Sequence, residues 1–449
     1  MSAQPLAQAL ETLKQLLLEL KRPDTHEPLL QLSLELTPEP LLPWLASQEQ
    51  YPRIYWQGRE KKEEAAAIGI CAERFFDTQV SDHQLAESYQ RQRALSSNPD
   101  LRYYGGLAFD RQVEPWPEFG RARFVLPRVE LRRSGNSLRL LLNLDLSRLD
   151  SERQSAIATL AALRPTHPQA EPKINLLGRS DIPGYSRWQE LVQQVTHPAF
   201  NQETPKVVLS RQTRLQLSEN LNPWSLLARW QRSCPNSFQF GFQFSPERAF
   251  ISCSPERLYR RHQSELFTEA LAGTTLRGQD PEQDALLARQ LLDDCKNSRE
   301  NQLVRQHIVE NLGPLCNYVG AEESPTIFKL PHIQHLHRAI RAELKAGIND
   351  FQLLQALHPT PAVGGLPRER ALQFIRQQEG YNRGWYAGAC GYFNKLESEF
   401  SVAIRSALVE PARITLFAGA GIVAGSDPAA EWQELENKLA TIMSVLQPE

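Results

Sequence analysis

The sequence predicts an α+β protein in which large mixed, mainly antiparallel sheets are flanked by helices. Three observations predict it. Apolar residues alternate at period two in many short runs, helical spacing appears in separate blocks, and no strict strand–helix–strand rhythm links them.

The chain opens with MSAQPLAQALETLKQLLLELKR, where Leu6, Leu10, Leu13, Leu17 and Leu20 mark one stripe of an amphipathic helix. No basic start, apolar run and small-residue cleavage site is present, so the stretch does not read as a secretion signal. QLSLEL (31–36) alternates, and PRIYW and AAAIGIC are further strand candidates. YYGGLAFD (103–110) places two glycines in an apolar stretch, a sign of a bulge or of close backbone approach. RFVLPRVELRRSGNSLRLLLNLDL (123–146) reads as a hairpin turning at SGN, with Val129 and Leu131 facing Leu138, Leu140 and Leu142.

Residues 163–184 are rich in proline and glycine and form the best linker candidate. They divide a strand-rich region (1–180) from the region that carries the chemistry (181–449). The first region is expected to integrate into the same fold, because its strands alone would leave open edges. Tyr185, Trp188, Leu191, Val192 and Val195 then keep helical spacing, KVVLSRQTRL reads as a strand, and NPWSLLARWQRS as a helix.

Phe238, Phe240, Phe242 and Phe244 alternate into Ser245-Pro246-Glu247-Arg248, and Phe250-Ile251-Ser252-Cys253 returns to a second Ser-Pro-Glu-Arg that holds Glu256. The two glutamates therefore sit at opposite ends of one hairpin, and at most one should face a given cleft. Residues 280–312 read as one long helix. ESEFSVAIRSALV (397–409) and RITLFAGAGIV (413–423) look like a pair of buried strands. The final helix starts with Asp427 as N-cap and Pro428 at its first position.

The 449 residues carry a net charge of -2 with no Lys/Arg block, which argues against a nucleic-acid partner. No run approaches the roughly 18 apolar residues of a membrane span. Six scattered cysteines without a CxxC pair suggest a reducing, cytoplasmic setting.

GAGIVAGSDP (419–428) puts glycine amides before a helix N-terminus but lacks the endings of nucleotide-binding loops, so a tight turn and an anion site are both open. Glu300 and Glu434 lie on two separate helices. One carboxylate from each could hold Mg²⁺, which takes one or two carboxylates and fills its shell with water and substrate oxygens. A solvated face with ordinary ion pairs, such as Glu434 with Lys438, is the alternative. Lys206 opens a strand and could serve as a base only if its surroundings lowered its proton affinity. His332, His335 and His337 lack a zinc-helix spacing.

Nine strings in order now carry a resemblance: KVVLSR, SPERL, EALAGT, DDCKNSREN, QHLHRAI, LHPTPAVGGLPRE, RGWYAGACGYF, SEFSVAIRSALV and FAGAGIVAGSDPAAEWQELENK. Together they resemble the chorismate-utilising enzymes, and within them the isochorismate synthases of the menaquinone-pathway type. The match spans roughly residues 200 to 445, with YYGGLAFD extending it weakly toward the N-terminus. It implies an anthranilate synthase component I-like fold and a reversible, Mg²⁺-dependent conversion of chorismate to isochorismate. By this resemblance Lys206 is the base, Glu256 the acid, and Glu300 and Glu434 the metal ligands. Arg405 grips a carboxylate, and Gly273, Thr274, His335, Tyr386, Gly419, Gly421 and Lys438 complete the substrate cradle.

Ala272 stands where aminodeoxychorismate-forming relatives carry a nucleophilic lysine, and Lys206 stands where the ammonia-using anthranilate branch has glutamine. No glutaminase subunit is therefore expected. Asn297 departs from relatives that carry an acid there. A salicylate synthase, which goes on to eliminate pyruvate, and a non-catalytic chorismate-binding paralogue are the alternatives.

Overall fold

The computed structural model describes residues 3–22, 27–78, 82–94, 98–167, 174–330 and 332–446. Its strands form two branches of one sheet system. The first runs Leu29–Leu36, Ser137–Asp145, Ala122–Ser134, Glu63–Phe76, Arg53–Gln57, Phe238–Gln243, Ala249–Ser254, Ser406–Glu410, Arg413–Val423 and Lys206–Leu217, each paired with the next. The second runs Tyr103–Leu107, Ala389–Phe393, Glu397–Val402, Arg257–His262, Glu265–Leu276 and Ile333–Leu344. They meet at Ala122–Ser134, whose one edge is shared: its residues 122–125 pair with Tyr103–Leu107 and its residues 129–134 with Ser137–Asp145.

Every ladder between these strands is antiparallel, in line with the mainly antiparallel sheets expected from the sequence. Among the described residues parallel pairing is confined to an isolated Gln4–Leu36 bridge. Strands from the first 180 residues pair directly with later ones, Arg53–Gln57 with Phe238–Gln243 and Tyr103–Leu107 with Ala389–Phe393.

An aromatic layer joins the two branches, because the period-two phenylalanines all point to one side. Trp56 stacks on Phe240 at 5.5 Å and meets Tyr392 at 6.0 Å, while Phe242 meets Trp385 edge-on at 5.4 Å. Gly105 lets three backbones approach: a Cβ there would stand 1.9 Å from the Arg123 carbonyl oxygen. Close approach, with no register shift on either side, is thus the role of the glycine pair. Helices cover the outer faces. Trp188 of Tyr185–Thr196 donates from its indole to the Pro428 carbonyl at 3.0 Å, tying that helix to Pro428–Leu446.

Three expectations need correction. The linker candidate contains the strand Leu176–Ile182, paired with Lys206–Leu217, and its residues 168–173 lie outside the described residues. The long helix is two, Pro281–Asp293 and Cys295–Leu312. Asp294 leaves helical geometry and its carboxylate caps the second helix by accepting from the Asn297 N–H at 2.6 Å. The stretch 397–409 is also two strands, Glu397–Val402 and Ser406–Glu410, and only the second pairs with Arg413–Val423. The break falls at Arg405, which adopts φ of +48°, a left-handed conformation that non-glycine residues seldom hold.

Candidate active site

One cleft of about 910 Å³, including its mouth, opens where the sheet branches and two helices converge. One wall is Arg413–Val423 (Phe417, Gly419, Gly421) and another is Glu265–Leu276 (Ala272, Gly273, Thr274). Glu300 enters from Cys295–Leu312, and Glu434 and Lys438 enter from Pro428–Leu446. Glu256, His335, Tyr386 and Arg405 complete the lining. Lys206 stands just behind the Gly421 wall, with no exposed surface, and donates from Nζ to Glu300 Oε1 at 2.7 Å. Every residue singled out by the resemblance is therefore at one cleft.

Local sequence explains the placements. Lys206 is the first residue of its strand and is paired on both sides, with Val423 and with Leu366, which holds its backbone fixed beside Glu300. Gly421 is needed opposite it: a Cβ there would stand 2.9 Å from Glu300 Oε1 and 3.1 Å from Lys206 Cε. Gly273 sits at φ +84° in a register shift of its strand, and the shift lets the Thr274 N–H donate to Asn297 Oδ1 at 3.2 Å. Asn297, the departure from the family pattern, thus ties a helix to the cleft wall.

The electrostatics divide the cleft by charge state. Burial, reinforced by the Glu269 carboxylate, pushes the Glu256 carboxyl up to about 8, with Lys206, Thr360 and Lys438 opposing. Glu256 therefore carries a proton at neutral pH. Burial, with Arg405 and Lys438 nearby, pushes His335 down to about 3, leaving a neutral ring. Its Nδ1 lies 2.9 Å from Thr274 Oγ1, while its buried Nε2 has no protein partner. That free nitrogen is suited to a substrate oxygen. Arg405 donates to the Lys438 carbonyl at 3.1 Å and makes no ion pair among the described residues. A half-buried guanidinium that no carboxylate contacts directly, with Glu434 only within electrostatic reach, suits a substrate carboxylate.

Two further residues belong here. Glu431 lines the cleft, is nearly fully buried, and accepts from Lys296 at 3.0 Å. Its carboxyl is pushed up by burial and by the neighbouring charge of Glu434. The signal was present in the sequence, since Glu431 precedes Glu434 by three residues on one helix face. Glu434 pairs with Lys438 at 2.6 Å. Glu300, Glu431 and Glu434 thus bring hard oxygen donors to one mouth, and each now leans on a lysine. Among the described residues no three His, Cys, Asp or Glu side chains stand close enough to form a complete metal cage. The donor set suits Mg²⁺, which completes its shell with water and substrate.

Comparisons with known proteins assign the family. The family described as chorismate binding enzyme matches residues 11–447. The chain belongs to that family. It is 38% identical over 414 residues, 91% of either chain, to isochorismate synthase MenF of Escherichia coli. A solved structure of the menaquinone-specific isochorismate synthase MenF from Escherichia coli superposes with a TM-score of 0.89 at 35% identity, covering 99% of this chain and 100% of that one. Anthranilate synthase component I from Streptococcus pneumoniae shares the fold, with a TM-score of 0.72 at 20% identity over 85% of this chain and 92% of that one. As in that fold, large antiparallel sheets are flanked by helices, and among the described residues no helix is long and apolar enough to cross a membrane.

Proposed function

We propose that this chorismate-binding enzyme is an isochorismate synthase that interconverts chorismate and isochorismate. One observation carries the reading: a fully buried lysine and a protonated, buried glutamate serve a single cleft whose mouth gathers carboxylates. Water adds at one ring carbon as the hydroxyl at another departs and the double bond shifts, so one water enters and one leaves. Lys206 takes the proton of the incoming water, and Glu256 gives its proton to the departing hydroxyl. After each turnover Lys206 gives up the proton it took and Glu256 regains one by exchange with solvent, and in the reverse direction the two groups swap roles.

Glu300 and Glu434 would hold Mg²⁺, which would neutralise and orient a substrate carboxylate. Lys206 donates from Nζ to Glu300 Oε1 at 2.7 Å, so the base stands beside one of the carboxylates that would hold the metal, and it takes up a proton only in its uncharged form. Arg405 takes a substrate carboxylate, His335 Nε2 and the Tyr386 hydroxyl face the ring's oxygens, and Lys438 stays fixed by the Gly419 carbonyl at 2.7 Å. Ala272 leaves space for water and offers no amine. The reading extends to a single-subunit enzyme without a glutaminase partner. It also extends to a cytoplasmic setting, supported by six free cysteines, and to supply of menaquinone synthesis, supported by the MenF relatives.

Incubation of the pure protein with chorismate and Mg²⁺, followed by chromatography, tests the reading. Isochorismate without pyruvate is expected. Salicylate with pyruvate would identify the lyase variant instead, and unchanged chorismate would reduce the protein to a binder.

A further inference from the structure

Behind the acid lies a second carboxylate that the reaction itself does not use. Glu269, on Glu265–Leu276, has a side chain with no exposed surface. Its Oε1 accepts from the backbone N–H of Arg257 at 3.1 Å, the residue after Glu256. Arg59 grips both of its oxygens, Nη1 to Oε1 at 2.6 Å and Nη2 to Oε2 at 2.8 Å. The same Nη1 donates to the Pro255 carbonyl at 2.8 Å, the residue before Glu256. His337 Nε2 stands 3.2 Å from Oε2. The acid's backbone is therefore clamped on both flanks by one ion pair, and Arg59 reaches it from the turn between Arg53–Gln57 and Glu63–Phe76. Next to it, Glu60 pairs with Arg257 at 2.5 Å, so two consecutive residues of that turn hold the corner.

We infer that Glu269, anchored by Arg59, is a positioning residue for Glu256: it fixes the Pro255–Arg257 corner and keeps a permanent negative charge behind the acid, so that the acid retains its proton. This rests on the reading of Glu256 as the proton donor. Burial alone would push the Glu269 carboxyl up, but Arg59, then His337 and Arg257, outweigh that and hold it well below the ordinary carboxylate range. It is thus ionised throughout the working range. Among the charged groups around Glu256, Glu269 favours the protonated acid, while Lys206 and Lys438 oppose it. Arg405 lines the same cleft, and His335 there is neutral. Arg59 and Arg257 face Glu269 from its other side.

The test uses charge changes of opposite sign and the alkaline limb of the kcat profile. Glu269→Gln removes the negative charge, so the limb should move about one unit toward acid. Arg59→Gln removes the compensating positive charge, so the limb should move the other way, with Arg59→Lys restoring most of the wild-type position. A residue that served only stability would lower kcat in both variants without opposed shifts, and that result would overturn the inference. Should Glu269→Gln fail to fold, the direction of the shift in Arg59→Gln decides alone. Glu256→Gln separates the two levels. If it keeps the wild-type rate, the acid assignment falls and this inference falls with it. If it is inactive while the limb of the other variants stays put, only the inference falls.

Discussion

Ser-Pro-Glu-Arg occurs twice in this chain with the same local turn and opposite surroundings. In each copy the serine hydroxyl accepts from the backbone N–H of the glutamate, Ser245 from Glu247 at 3.1 Å and Ser254 from Glu256 at 3.3 Å. Beyond the turn they diverge. Glu247 is exposed, and its neighbour Arg248 pairs with Glu410 near the surface. Glu256 is 5% exposed, and its neighbour Arg257 is buried between Glu60 and Glu399. Four identical residues thus give a solvated turn at one end of a strand and a buried, protonated carboxyl at the other. The retained proton belongs to the enclosure, and above all to the burial that raises the proton affinity of Glu256.

The widest separation between the copies should appear in turnover. Glu256→Gln is expected to lower kcat by roughly 10²–10⁴, the range of a lost general acid, while chorismate still binds. Glu247→Gln should leave kcat unchanged. Lys206→Ala belongs with the first, since it removes the proposed base. Steady-state kinetics with a binding measurement decide the comparison, and equal damage from Glu247→Gln would dissolve it.

A smaller effect is expected in the pH profile of the unaltered enzyme. Glu256 must hold its proton to donate it, so kcat should fall above about pH 8, close to tenfold per unit at the limit. Glu247→Gln should trace the same curve. A profile that stays flat to pH 10 would mean that the donor is another group.

Much of the frame was legible because local chemistry dictates it. The phenylalanine alternation, the SGN turn and Asp427–Pro428 each encode a strand face, a hairpin or a helix start, and each is found there. The misreadings have separate causes: a local cap, a backbone turn and a long-range strand pairing. Asp294 looks like one more helical residue until its carboxylate turns back to cap Asn297. Arg405 interrupts an apolar strand because its backbone adopts a strained turn that aims the guanidinium into the cleft. Leu176–Ile182 hides in a proline-rich stretch because it lies beside Lys206–Leu217, where ladder pairing compensates for weak propensity.

For the site, the residues alone offered paired carboxylates and a lysine without deciding between an ion pair and chemistry, and the family strings supplied the roles. Arg59 could not have been read at all. Its partner Glu269 lies 210 residues away, and nothing in the local sequence distinguishes it from any turn arginine.

The finest contrast concerns stability. Glu256 titrates near 8 in the fold, against 4.5 for an ordinary carboxyl, so between those values the folded chain holds a proton that the unfolded chain has released. Stability from this group is complete below about pH 4.5 and drains away as the pH rises through 8, toward a limit of roughly 5 kcal/mol. Glutamine has no proton to lose. The melting temperature of Glu256→Gln, measured without substrate or metal, should therefore gain on the wild type as the pH goes from 5 to 8.5, by several degrees at the upper end. Glu247→Gln, solvated on the same strand, should track the wild type within about 0.5 kcal/mol at every pH. Thermal melts of the three proteins across that range compare the two turns with catalysis removed. A constant gap between Glu256→Gln and wild type would show that the enclosure does not bind the proton, and the distinction between the tetrapeptides would then need another cause.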